Sequence, residues 1–271
     1  MKILLTNDDG IRAPGIVNMH AALTEAINDA ERNSPLAGAE VFAVAPANVQ
    51  SATGHGVTFH EPLMSQPVRI NESPAGADLE GMSGIAVDGR PADCVKVALS
   101  AIWPETFGER SLPDLVISGM NAGANCGINV IYSGTVAAAI EAAFLGVPAI
   151  AVSLHLGRGR PDFLNAARRG VRTIEKILEA DMLSRHACIN INVPRTELPD
   201  AEPLSPTERL ALTRIPSAVR EHPRHGNAAR KSNAAQASPE EAAAVPATEM
   251  PPIRVCPMNT HGLIDRYERR E

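Results

Sequence analysis

Aromatic residues are scarce in this chain: one Trp, two Tyr and five Phe among 271 residues, or 3%. A core must therefore come from Val, Ile, Leu and Ala, which suits buried parallel strands covered by helices. Cysteines are few and scattered. Cys94, Cys126, Cys188 and Cys256 form no CxxC pair, which argues against a zinc site and a disulfide framework; buried free thiols in a reducing compartment are the expectation. A basic excess is also missing. The formal net charge of −6 is the wrong sign for a general binder of nucleic-acid polymers. No uncharged apolar run reaches the ~18 residues that a membrane span requires. The opening run Ile3-Leu4-Leu5 is too short for a signal peptide, and Asp8 and Asp9 follow at once. A cytoplasmic protein with no membrane partner is expected. Neither GxxxxGK[ST] nor a GxGxxG after the first strand is present, which excludes a P-loop and makes a dinucleotide site a poor fit.

What is present is a hydrophobic fraction of 44%, ample for one α/β domain of this length, with or without an appendage. Residues 2–7 read as a buried strand and 8–15 as a loop. Ile16, Met19, Leu23 and Ile27 recur at helical spacing within 16–30, and 40–45 is a second strand closed by Pro46. This βαβ opening calls for a parallel sheet. Short strand-like segments follow up to Val87, in the manner of a hairpin excursion. A helix is predicted over 93–102, a strand over 115–117, a polar loop over 120–132 and an Ala-filled helix over 133–145. Strand 149–154, helix 163–180 and strand 187–193 complete the pattern. The fold class is thus α/β, Rossmann-like, a mostly parallel sheet flanked by helices, with a C-terminal extension or arm. Residues 1–195 form the expected core and 196–271 a divergent extension, an oligomerisation arm by one reading. Within it, 226–252 is Ala/Pro-rich and reads as flexible, and 253–264 regains strand character.

In an open parallel sheet, ligands bind beyond the C-terminal strand ends. Four polar loops follow strands here. Asn7-Asp8-Asp9-Gly10 sets two carboxylates side by side, costly unless a cation lies between them, and a hard ion such as Mg²⁺ or Mn²⁺ answers with oxygen ligands. A solvated turn explains the same residues. In the loop Asn48 to Gly56, Ser51 offers a neutral oxygen, Gly54 and Gly56 allow close approach, and His55 is a weak candidate for general acid or phosphate contact. Asn121 and Asn125 offer amide oxygens to a metal or NH₂ groups to a phosphate. Tyr132-Ser133-Gly134-Thr135 opens the Ala-rich helix, where backbone amides and hydroxyls make an anion site without Lys or Arg. Carboxylates, neutral oxygens and a helix start together suit phosphomonoester hydrolysis.

The segments Ile3 to Ile11, Ala13-Pro14-Gly15, Val44-Ala45-Pro46, Asp88-Gly89-Arg90-Pro91-Ala92-Asp93-Cys94-Val95, Ser118-Gly119-Met120-Asn121, Ser133-Gly134-Thr135 and Pro148 to Ser153 resemble the SurE (survival protein E) family, in order, over roughly residues 1–195. That resemblance implies a 5'/3'-nucleotidase acting on nucleoside monophosphates, and in some members on short polyphosphate. It implies a Rossmann-like core and a C-terminal arm exchanged within a homodimer or homotetramer. It also implies one divalent metal ion per subunit, Mg or Mn, at Asp8, Asp9, Ser51 and Asn121, with Asp8 and Asp9 catalytic and the phosphate at Asn125, Ser133, Gly134 and Thr135. The tail departs from the family pattern. Only Ile253 to Met258 loosely matches its final strand, so no site residue is carried over from there. Water attack and attack by an Asp carboxylate are both compatible with these residues. The competing reading is a nucleotide-binding protein that keeps the scaffold without catalysis.

Overall fold

The computed structural model describes residues 1–70, 81–199 and 201–212. The strands are β1 (Lys2–Thr6), β2 (Glu40–Pro46), β3 (Ser65–Ile70), β4 (Met82–Val87), β5 (Leu115–Ala122), β6 (Ala149–Leu154) and β7 (Cys188–Val193). The helices are α1 (Pro14–Asn28), α2 (Pro91–Val97), α3 (Trp103–Phe107), α4 (Gly134–Phe144), α5 (Phe163–Glu179) and α6 (Pro206–Leu212). They build one seven-stranded sheet in the order β3-β4-β2-β1-β5-β6-β7. Among the described strands only the β3–β4 pair is antiparallel, which accounts for the hairpin-like stretch before Val87.

Alternation along the strands explains the layers. Ile3 and Leu5 of β1 face the cluster that also holds Ile16, Met19 and Leu23 of α1 and Val171 and Ile174 of α5. Leu4 faces the opposite cluster, with Cys94 and Val95 of α2 and Ala138, Ala139 and Ala142 of α4. A strand buried on both faces reads as a continuous apolar run, as this one does. Small Ala side chains let α4 lie close to the sheet. Trp103, fully buried, packs edge-on to Phe42 with ring centroids 6.1 Å apart.

Several elements differ from the sequence-based expectation. α1 begins at Pro14, not residue 16, because Pro suits the first helical position. A Cβ on Gly15 would lie 1.9 Å from Met120 O, so only glycine allows this approach of α1 to β5. β5 runs to Ala122 instead of stopping at residue 117. Its pairing with β6 shifts register between Gly119 and Asn121 and then continues to Ala122 opposite Leu154. Gly119, with φ +145° and Val152 O at 2.3 Å from a notional Cβ, is the residue that accommodates the shift. The cysteines also differ from expectation: Cys94 is buried, but Cys126 and Cys188 are exposed and free.

Past residue 195 the chain stays tied to the core. Asp162 N donates to Thr196 O at 2.8 Å and Leu198 N to Arg160 O at 2.9 Å. Among the described residues, no helix is long and apolar enough to cross a membrane. The flexible stretch expected over 226–252 and the strand expected over 253–264 lie outside the described residues.

Candidate active site

The chain moves from β1 to β2 on one side of the sheet and later to β5 on the other, so β1 and β5 flank the switch point of the strand order. A ligand crevice opens at such a point. Thr6, Asn7, Asp8 and Asp9 are all buried there. Asn7 Nδ2 donates to Gly10 O at 2.9 Å, and Ile11 N donates to Pro46 O at 2.8 Å. Gly10, at φ +97° and 3.3 Å from Asn48 C by its notional Cβ, supplies the left-handed backbone that turns the chain.

Asp8 reaches across to α4. Thr135 Oγ1 donates to Asp8 Oδ1, and the Thr135 backbone amide adds a second donor. A Cβ on Gly134 would lie 2.8 Å from Asp8 Cβ and 3.0 Å from Asp8 Oδ2. The carboxylate therefore sits on the first turn of α4, where free amides and the helix dipole favour negative charge. Ser133 caps the same turn, its Oγ accepting from Val136 N at 3.1 Å. Asp9 faces the other way. Its Oδ2 accepts from Ala122 N at 3.0 Å, joining the ends of β1 and β5. Gln50 N donates to Asp8 O at 2.7 Å, which ties the loop that carries half-buried Ser51 to the end of β1.

Burial pushes the Asp8 carboxyl up, with the Thr135 hydroxyl and the Asp8 and Thr135 amides pulling it back. Burial also pushes Asp9 up, to about 7, helped by the Asp8 carboxylate and opposed by the Ala122 amide. Among the described residues, the groups that lower these pKa values are hydroxyl and amide dipoles. Beneath them, Asn7 Oδ1, Thr6 Oγ1 and Ser118 Oγ are buried without a hydrogen-bond partner among the described residues. Two acids short of a counter-charge and a set of oxygen donors fit a hard divalent cation. No group of three or more His, Cys, Asp or Glu able to hold a metal occurs among the described residues. An ion at this place would rest on two carboxylates and neutral oxygens.

The family model for survival protein SurE matches residues 3–218. The chain belongs to the SurE family. It is 40% identical over 216 residues to the 5'-nucleotidase SurE of Carboxydothermus hydrogenoformans, a match spanning 79% of this chain and 70% of that one. Against the 5'-nucleotidase SurE of Desulforudis audaxviator it is 43% identical over 195 residues, or 72% and 66% of the two chains. The crystal structure of SurE protein from Aquifex aeolicus matches with a TM-score of 0.52 at 34% identity, over 73% of this chain and 67% of that one. The matched region spans 66–70% of these relatives' length.

Within this SurE chain, the structure brings Asp8, Gly134 and Thr135 into contact, with Asp9 turned to Ala122. Asn121 lies on the end of β5 and not in a loop, its Nδ2 donating to Gly123 O at 2.7 Å. Asn125 lies further along the rim, held from β6 by Ser153, whose Oγ accepts from Asn125 Nδ2 at 2.8 Å. His55, the weak candidate of the second loop, is held by α4. Its Nε2 lies 2.7 Å from Glu141 Oε2, and its ring stacks on Phe144 at 5.7 Å. Glu141 is seven residues beyond Gly134, about 10 Å along α4, while the neighbouring Gly54 N donates to Tyr132 O at 3.1 Å, just before Ser133. Sequence reasoning passed over Ser153, Asn190 and Asn192. The polar alternation Asn190-Ile191-Asn192 at a strand's C-terminal end was the available signal.

Proposed function

We infer that this chain is a 5'-nucleotidase, a phosphatase that hydrolyses nucleoside monophosphates to nucleoside and phosphate, the activity carried in its relatives' names. One observation supports this most: the buried Asp8 carboxylate rests on Gly134 and Thr135 at the start of α4, with Asp9 beside it. Acid and anion cradle thus share one crevice. Asp8 and Asp9, with Ser51 and Asn121, would hold the divalent ion, Mg or Mn. Bound there, the ion supplies charge neutralisation and Lewis-acid polarisation. The α4 amides, Ser133, Thr135 and Asn125 receive the phosphoryl oxygens as their charge redistributes. Gly134 keeps this approach open, since any side chain would fill it. Ser133, already capping α4 through its oxygen, has its hydroxyl hydrogen left to donate. The test is phosphate release from nucleoside 5'- and 3'-monophosphates with Mn²⁺ or Mg²⁺. Release that persists in excess chelator refutes the metal assignment, and no release with any ion refutes the catalytic one.

The wider reading includes a homodimer or homotetramer in the cytoplasm. Exposed Phe59, Met64, Ile131 and Phe144 support assembly, and the free cysteines support a reducing compartment. Light scattering that returned a monomer would refute the first.

A further inference from the structure

Asn125 is poorly fixed by its own backbone. Gly123 at φ +142° and Gly127 at φ +58° flank it, and glycine on both sides leaves the peptide free to swing. What holds it comes from two distant strands. Ser153 and Asn192 are register partners across β6 and β7, with Asn190 two residues earlier opposite Ala151. Asn125 N donates to Asn192 Oδ1 at 2.8 Å. Asn192 Nδ2 donates back to Asn125 O at 2.9 Å, and Asn190 Nδ2 donates to the same oxygen at 2.7 Å. One carboxamide thus grips both backbone polar groups of one residue, as a neighbouring strand would. Ser153 then takes the Asn125 side chain.

We propose that Asn192, with Asn190 behind it, is a positioning residue that sets Asn125 at the phosphate end of the crevice. The claim rests on the reading that Asn125 contacts phosphate. Asn190 and Asn192 are exposed, on the face of β7 opposite buried Ile191 and Val193. Their amides therefore add little to the core, and their hydrogen bonds are spent on one loop residue. Misplacing a binding group by a fraction of an ångström weakens what it holds without unfolding the protein.

The test uses the full chain loaded with Mn²⁺. Asn192→Thr removes the two-point grip but suits a strand. Asn192→Asp keeps the acceptor for Asn125 N and sets a carboxylate against Asn125 O. Asn190→Thr removes one of the three bonds. The Kd of inorganic phosphate, by calorimetry, is expected to weaken about tenfold in Asn192→Thr, more in Asn192→Asp and less in Asn190→Thr. KM for a nucleoside monophosphate rises with it, while the Mn²⁺ Kd and the melting temperature stay near wild type. Phosphate Kd values within twofold of wild type in all three would overturn the proposal. So would a Mn²⁺ affinity or melting temperature that falls in step with phosphate affinity, the mark of a structural role. A wild type that binds phosphate but releases none from nucleotides refutes the hydrolytic reading alone, and the variants' phosphate affinities then still decide this one.

Discussion

Neutralising Asp9 should stabilise the metal-free protein and abolish its activity. Asp9 is 9% exposed, and its carboxyl is pushed from 3.8 to about 7, chiefly by burial. The folded chain therefore binds this proton more tightly than the unfolded chain does. Its contribution to stability is fully present below about pH 4 and is lost as pH rises through about 7. At ~1.4 kcal/mol per pH unit, the loss reaches about 4 kcal/mol at pH 8. Asp9→Asn keeps an oxygen for the Ala122 amide and carries no charge. In chelator, urea unfolding of both proteins from pH 4 to 8 should show near-equal stability at pH 4. The gap should then widen in the variant's favour to a few kcal/mol, or roughly 10 °C in Tm. Mn²⁺ should close most of that gap, since an ion at 100-fold its Kd stabilises the wild type by ~2.7 kcal/mol. Parallel stability curves, or a variant less stable at pH 8, would refute the claim that Asp9 is an uncompensated buried acid.

Gly134→Ala places a methyl 2.8 Å from Asp8 Cβ and should cut kcat/KM by about 100-fold or more, with a stability loss of about 1–3 kcal/mol by calorimetry. Gly15→Ala meets the Met120 carbonyl at 1.9 Å and should cost about 3 kcal/mol or more in urea unfolding, the larger loss of the two. His55→Gln should change kcat by less than about tenfold, because His55 bonds to Glu141 well down α4; a loss near that of an Asp8 variant, in a steady-state assay, would restore it as a catalytic group.

The sequence by itself determined the layered α/β architecture, because burial on both faces writes a continuous apolar run into β1, β5 and β6, and helical spacing writes α1 and α5. It also marked the rim loops, since Asp, Asn, Gly and Ser gather where strands end. Family motifs then named the residues of the site. Tertiary structure decided what those residues touch. Asp8 meets Thr135 across 127 positions of chain, and no local pattern encodes that distance. Asn121 became part of a strand because β6 lay beside it to pair with. His55 was drawn to Glu141 on a neighbouring helix, and Asn125 was fixed by Asn190 and Asn192, whose polarity is visible in the sequence while their target is not. Period and turn chemistry are local and survive in one dimension; register between distant strands, and the pairing of a buried charge with the dipole that tolerates it, exist only once the sheet has formed.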